Sequence, residues 1–294
     1  MSGWCGGYSA GMHTSVAGSA VTVDLRQQPH AHALERAERC LGVVVDRESA
    51  VVKRRSVGAR SDRNTWVRLE VQPWNSLGTR GWHGVEAAEV LRGVAKPAWY
   101  QGVSWLDRDT GLMWRADETQ LVTAAPVPAA GVLRHAPELP ESWWETFNAS
   151  LDALATHRPA HPATRHTTFL TQQRITNLIT RMFGADVDTT IDEWVAVHGD
   201  FAWQNLTAPE CWLLDWEDWG AGPRGFDAAC LWMGSLAVPE LAQRIAAERA
   251  VDLSTRSGRL SWLYACAGIL DTETDPVFTE PARHRAETLL GRLR

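Results

Sequence analysis

The chain has 294 residues, 45% hydrophobic and 22% charged, enough apolar material for one two-lobed domain or two ordinary ones. A net charge of -6 gives no general attraction to nucleic acid or to an anionic membrane. Five cysteines (Cys5, Cys40, Cys211, Cys230, Cys266), odd in number and never in C-x-x-C spacing, argue for reduced thiols and against a disulfide framework or a zinc site.

Residues 1–29 are rich in Gly, Ser and Ala and read as a floppy or weakly docked leader, without the charged start and apolar run of a secretory signal. No later stretch reaches the ~18 apolar residues of a membrane span. The expectation is a soluble, cytoplasmic protein with neither nucleic-acid nor membrane partners. Leu34, Ala37 and Leu41 predict a helix over 31–41, stopped by Gly42. Extended runs at 50–57 and 65–71 enclose the small polar loop Gly58 to Asn64, in which Gly58 and Ser61 are candidate phosphate contacts, although one glycine in a hairpin is equally the mark of a plain turn.

Trp82 to Gly93 has Val85, Ala88 and Leu91 at helical spacing and carries Glu86 and Glu89. Two strands follow, 97–106 and 111–115, joined by D-R-D-T-G, and then an Ala- and Pro-rich linker over 124–137. The rest is mostly helical: 143–157 with Ser142 as N-cap, 171–183, 226–237, 239–251, 258–270 and 281–294. Most of the sixteen tryptophans stand among apolar neighbours and read as core or pocket walls. His157, His161 and His166 lack a nearby Cys or helical Glu and read as surface residues, not metal ligands.

The polar residues between Val197 and Asp227 are spaced as chemistry requires. His198, Asp200 and Asn205 form H-G-D-x-x-x-x-N, and Asp215 follows between Leu213-Leu214 and Trp216. Short strands ending near Val197 and covering 212–214 would carry the acids at their exits. A phosphoryl-transfer site needs a carboxylate near the attacking hydroxyl and hard oxygen ligands for magnesium, which Asp200, Asn205 and Asp215 offer. Turn caps would explain Asp200 and Asn205 singly, but not four elements in order, the last being Asp227 after G-x-G-P-x-G-F.

This segment resembles the catalytic segment of the aminoglycoside phosphotransferase and choline kinase group, which shares the protein-kinase-like fold. The resemblance implies an α+β, two-lobed protein: a small antiparallel-sheet lobe with one helix (30–118) that binds nucleotide, a hinge and linker (119–140), and a mostly helical lobe (141–294) holding the catalytic segment 197–227. It implies Asp200 as catalytic base, Asn205 and Asp215 as Mg2+ ligands, Asp227 as a structural acid and His198 as a brace. The hinge is expected near Met113 to Glu118, making Met113 and Arg115 nucleotide contacts. ATP or GTP is the implied co-substrate, and the acceptor a small-molecule hydroxyl, first an antibiotic of aminoglycoside or nucleoside type.

The chain departs from the family where a lysine is expected on the strand after the loop. Its only lysines are Lys53 and Lys96, and the strand T-W-V-R-L-E-V offers Arg68, whose expected partner is Glu86 or, failing that, Glu89. That departure motivates the alternative of an idle nucleotide-binding or regulatory protein; a small-metabolite kinase is the other. No A-P-E segment follows Asp215, which disfavours a protein kinase. Acids at 271–275, Glu217 and Asp218 would meet a cationic acceptor, and a tryptophan wall would suit a nucleoside or sugar ring.

Overall fold

The structure, a computed structural model, describes residues 23–77, 82, 84–128, 133–165 and 168–293. It divides into two units, one running up to Glu86 and including Pro97–Val122, the other made of Ala87–Lys96 and Thr123–Arg294.

The first unit is a helix, α1 (Ala31–Leu41), on a five-stranded antiparallel sheet: β1 (Val51–Val52), β2 (Ser56–Arg60), β3 (Thr65–Pro73), β4 (Trp99–Asp107) and β5 (Leu112–Gln120), in the order β1-β2-β3-β5-β4. Alternation along the strands sorts side chains between two faces. Val57, Ala59, Val67, Leu69, Val71, Trp114 and Ala116 form an apolar core with Ala33, Leu34, Ala37 and Leu41 of α1. The other set is polar: Gly58 pairs with Arg68, Arg68 with Asp117, and Asp117 with Gly102; in the next rank Ser56 pairs with Glu70, Glu70 with Arg115, and Arg115 with Ser104.

Three expectations change here. Val23 and Leu25 are buried in this core and Leu25 N donates to Arg54 O at 2.8 Å, so the last leader residues pack, while 1–22 lie outside the described residues. The helix expected over 82–93 is a single 3-10 turn, Ala87–Val90, preceded by a one-turn helix, α2 (Trp74–Leu77). Its apolar spacing is real, since Ala88 and Leu91 are buried, but Gly84 and Gly93 flank a segment too short to sustain a helix. β5 runs on to Gln120, so the expected hinge near 113–118 is the middle of a strand.

In the second unit β6 (Ala125–Pro126) pairs with β10 (Thr207–Ala208), β7 (Thr164–Arg165) with β8 (Thr168–Phe169), and β9 (Trp194–Val197) with β11 (Gly220–Pro223). Around them stand α3 (Glu141–Thr156), α4 (Gln172–Phe183), α5 (Phe226–Met233), α6 (Pro239–Glu248), α7 (Ala250–Leu253), α8 (Arg256–Thr272) and α9 (Pro276–Leu293). Thr171 and Thr255 cap α4 and α8 through their side chains. Pro140, not Ser142, is the N-cap of α3. Trp143, Trp144, Trp203, Trp216, Trp219, Trp232 and Trp262 are buried in this unit's core, where they serve packing rather than a pocket wall. Among the described residues no helix is long and apolar enough to cross a membrane.

Candidate active site

Strand β9 carries Val195 to Val197 through the core and delivers the chain to Gly199, whose φ is 87°. A Cβ there would lie 2.4 Å from Asp218 O and 2.7 Å from Thr164 O, so only glycine fits. The amides of His198 and Gly199 donate to Asp227 Oδ2 and Oδ1 at 2.7 and 3.2 Å. Asp227 lies in the first turn of α5 and is buried; burial pushes its carboxyl upward, opposed by His198 and the two amides. His198 donates from Nε2 to Leu214 O at 2.8 Å, since a carbonyl can only accept, and packs against Phe201 and Trp216. It has no exposed surface.

A 3-10 turn, Trp203–Asn205, follows. Asn205 donates from Nδ2 to Asp200 O at 2.8 Å and, at 3.4 Å, to Asp200 Oδ2, which leaves its Oδ1 as the acceptor end. Leu214 N donates to Asn205 O at 2.8 Å and a single bridge joins Leu206 to Leu213, in place of the strand expected over 212–214. Asp215 follows Leu214 at a left-handed φ of 66°, and its charge and that of Asp200 both reach Asp218. Asp218 joins the same cluster. Its side chain accepts from Thr164 Oγ1 and its carbonyl from Thr164 N at 2.8 Å. Burial raises its carboxyl, and the neighbouring charges of Asp200 and Asp215 raise it further, against the Thr164 hydrogen bond and His198. Sequence reasoning cast Asp218 only as an acceptor-facing charge; its signal was the W-E-D run directly after Asp215.

Among the described residues no group of three or more His, Cys, Asp or Glu side chains forms a metal centre. A two-oxygen set of Asn205 Oδ1 and the Asp215 carboxylate nevertheless fits magnesium, which keeps several waters.

The sheet unit arranges its expected nucleotide contacts differently from the sequence reading. Gly58 lies inside β2 beneath the Trp66 ring, where a Cβ would come within 2.3 Å of Cζ2. Ser61 closes the β2–β3 turn on Thr65 Oγ1 at 2.5 Å and accepts from Arg63 N at 3.1 Å, so this loop is a tight turn tied by its own side chains rather than a phosphate cradle. The turn between β1 and β2 is the exposed run Lys53–Arg55. Arg68 pairs with Glu70 at 2.5 Å. Glu86 pairs instead with Arg115 at 2.9 Å, and Glu89 with Lys96, which corrects the expected Arg68–Glu86 pairing.

Arg115 is buried at the centre of β5, with Asp117 on its Nε and Nη2 at 2.6 and 2.8 Å, Glu86 on Nη2 and Trp82 O on Nη1 at 3.2 Å. Burial works against its charge, but the Asp117 and Glu86 carboxylates outweigh burial and hold it above the usual guanidinium range. Met113 is on the same strand, away from any hinge. Glu70 and Asp117 were missed because their partners follow from strand register.

Elsewhere, Asp271 pairs with Arg181 at 2.5 Å, so the 271–275 run begins with a residue committed to structure. His157 accepts from Arg92 N at 3.1 Å, His161 packs edge-on against Trp219, and His166 lies outside the described residues.

No curated protein sequence matches the chain. A solved structure of APH(2")-IIia with GDP and kanamycin is similar over 90% of this chain and 99% of its own, at 12% identity and a TM-score of 0.53. A structure of aminoglycoside phosphotransferase APH(2'')-Ib with ADP is similar over 88% and 96%, at 11% identity and a TM-score of 0.49. Choline kinase LicA from Streptococcus pneumoniae is similar over 89% and 98%, at 12% identity and a TM-score of 0.40. The α+β, kinase-like architecture is thus the one expected. The sequence profile of the phosphotransferase enzyme family matches residues 70–260, a span that holds the whole catalytic segment, and the chain belongs to that family.

Proposed function

We propose that the chain transfers the terminal phosphoryl group of ATP or GTP, with magnesium, to a hydroxyl of a small molecule, an antibiotic of aminoglycoside or nucleoside type, and so inactivates it. The observation that carries this reading is Asn205. Its Nδ2 is committed to Asp200 O, which leaves Oδ1 for a cation, in a loop that Asp227 fixes and that holds Asp200 and Asp215 within electrostatic reach of Asp218.

In this reading Asp200 accepts the proton of the acceptor hydroxyl, and Asn205 and Asp215 hold the metal. Magnesium held by Asn205 and Asp215 would supply positive charge against that of the phosphates. His198 keeps the loop on Leu214 O. In the sheet unit Arg68 takes nucleotide phosphate, the role that its guanidinium fork suits. The half-buried Glu217 and Asp218 beside the catalytic acids favour a cationic acceptor. The buried tryptophans of the helical unit weaken the case for ring stacking.

Nucleotide consumption by the purified protein, with and without magnesium, against a panel of aminoglycosides and nucleoside antibiotics tests the proposal. Magnesium-dependent turnover with one acceptor, whose product gains a phosphoryl group by mass, is expected. Nucleotide binding without product from any acceptor would favour the idle alternative.

A further inference from the structure

We infer that Glu70 is an internal competitor for the phosphate-binding arginine: its carboxylate occupies Arg68 and sets how tightly the sheet takes phosphate groups. This rests on the phosphate role proposed for Arg68. Strand register puts Arg68 and Glu70 of β3 on one face with Arg115 and Asp117 of β5. The two arginines are held differently. Arg115 is 9% exposed and engages Asp117, Glu86 and Trp82 O, so pulling it away would strand buried charge. Arg68 is 29% exposed, with Glu70 Oε1 at 2.5 Å from its Nη2.

The carboxylate of Glu70 puts a negative charge directly on the guanidinium that a polyphosphate would have to reach, and so opposes it. Arg68 can exchange one oxyanion for another without losing charge-assisted hydrogen bonds. Glu70, only 11% exposed, would then be left beside the phosphate without its cation. Asp117 and Glu86 are engaged with buried Arg115, so Glu70 is the acid whose neutralisation releases Arg68.

Calorimetric titration of the full chain with tripolyphosphate, and separately with ATP and magnesium, tests this. Glu70→Gln should tighten both about three- to tenfold, and the gain should vanish in an Arg68→Ala background. Unchanged or weaker tripolyphosphate binding in Glu70→Gln overturns the inference, as does an equal gain without Arg68. Glu70→Ala is the second variant, because Gln can keep a hydrogen bond to Arg68. The two probes separate this idea from the proposed function. An Arg68-dependent gain for tripolyphosphate, with no variant binding ATP, supports the competitor and rejects the nucleotide reading. ATP binding that Arg68→Ala weakens and Glu70→Gln leaves unchanged keeps the reading and overturns the competitor.

Discussion

Asp227 holds the backbone of His198 from 29 residues further along the chain, through a 2.7 Å hydrogen bond, and takes the next amide as well. The catalytic loop thus hangs from a carboxylate inside the protein. Asp227→Ala should destabilise the helical unit by about 3 kcal/mol, because two buried amides lose their acceptor. Asp227→Asn should cost less, since its oxygen still accepts one. Urea denaturation checks this, and a loss below about 1 kcal/mol for the alanine variant would remove the tie from the account.

Asp200→Asn should lower turnover about a hundred- to ten-thousandfold while nucleotide affinity stays nearly unchanged, because the carboxylate serves the acceptor proton and not the phosphates. Asp215→Ala should weaken magnesium–nucleotide binding itself. Steady-state kinetics beside direct binding measurements separate the two, and near-normal turnover in Asp200→Asn would end its assignment as base.

Gly199→Ala combines a left-handed φ with a Cβ 2.4 Å from Asp218 O, a backbone atom that cannot swing aside. A stability loss of at least about 2 kcal/mol is expected, together with reduced turnover from a displaced Asp200. Thermal unfolding that leaves the midpoint where it was would contradict the close approach.

Removing Asp117 and removing Arg68 should differ in kind. Asp117→Ala leaves the buried Arg115 guanidinium with the exposed Glu86 carboxylate and Trp82 O and should cost about 3–5 kcal/mol. Arg68→Ala breaks a more open pair and should cost about 1 kcal/mol or less. Chemical denaturation of both variants ranks them, and the reverse order would refute the division of labour between the arginines.

Cys40 is exposed, whereas Cys211, Cys230 and Cys266 are buried. Burial pushes the Cys211 thiol up to about 12 from its ordinary 9.0. The folded state therefore keeps this proton while the unfolded state releases it, so the stability contributed below pH 9 declines as pH rises through 9 towards 12. At pH 8 a thiol reagent should label Cys40 and reach the buried three only on unfolding. Mass mapping of the labelled peptides decides it, and rapid native labelling of Cys211 would count against its burial.

The catalytic segment was legible because its chemistry is local. H-G-D-x-x-x-x-N closes on itself through Asn205 and Asp200, and Gly199 and Asp227 are the residue types that its backbone geometry demands. The sheet unit was less so. Which acid meets Arg68 depends on ranks such as Gly58–Arg68–Asp117, and register is a property of paired strands. Arg115 and Asp117, two apart on one strand, share a face by the same rule, but only a correctly placed β5 makes that visible. The 82–93 segment shows a different failure: Ala88 and Leu91 are buried as their spacing implied, yet burial came with a single 3-10 turn.

The tryptophans divide in a way that makes the chain its own optical probe. Those named in the helical unit are buried, so their emission should be blue-shifted and resistant to acrylamide. Trp74 is 55% exposed, and Trp66, Trp82 and Trp99 are half-buried, all in the sheet unit. Trp66 lies over Gly58, in register with Arg68, and Trp99 donates from Nε1 to Asp117 Oδ1 at 2.7 Å. A quencher will therefore reach Trp74 first and the half-buried Trp66, Trp82, Trp99, Trp194 and Trp212 next, and any ligand that settles on the polar face of the sheet will be visible as a change in quenchable intensity without a label.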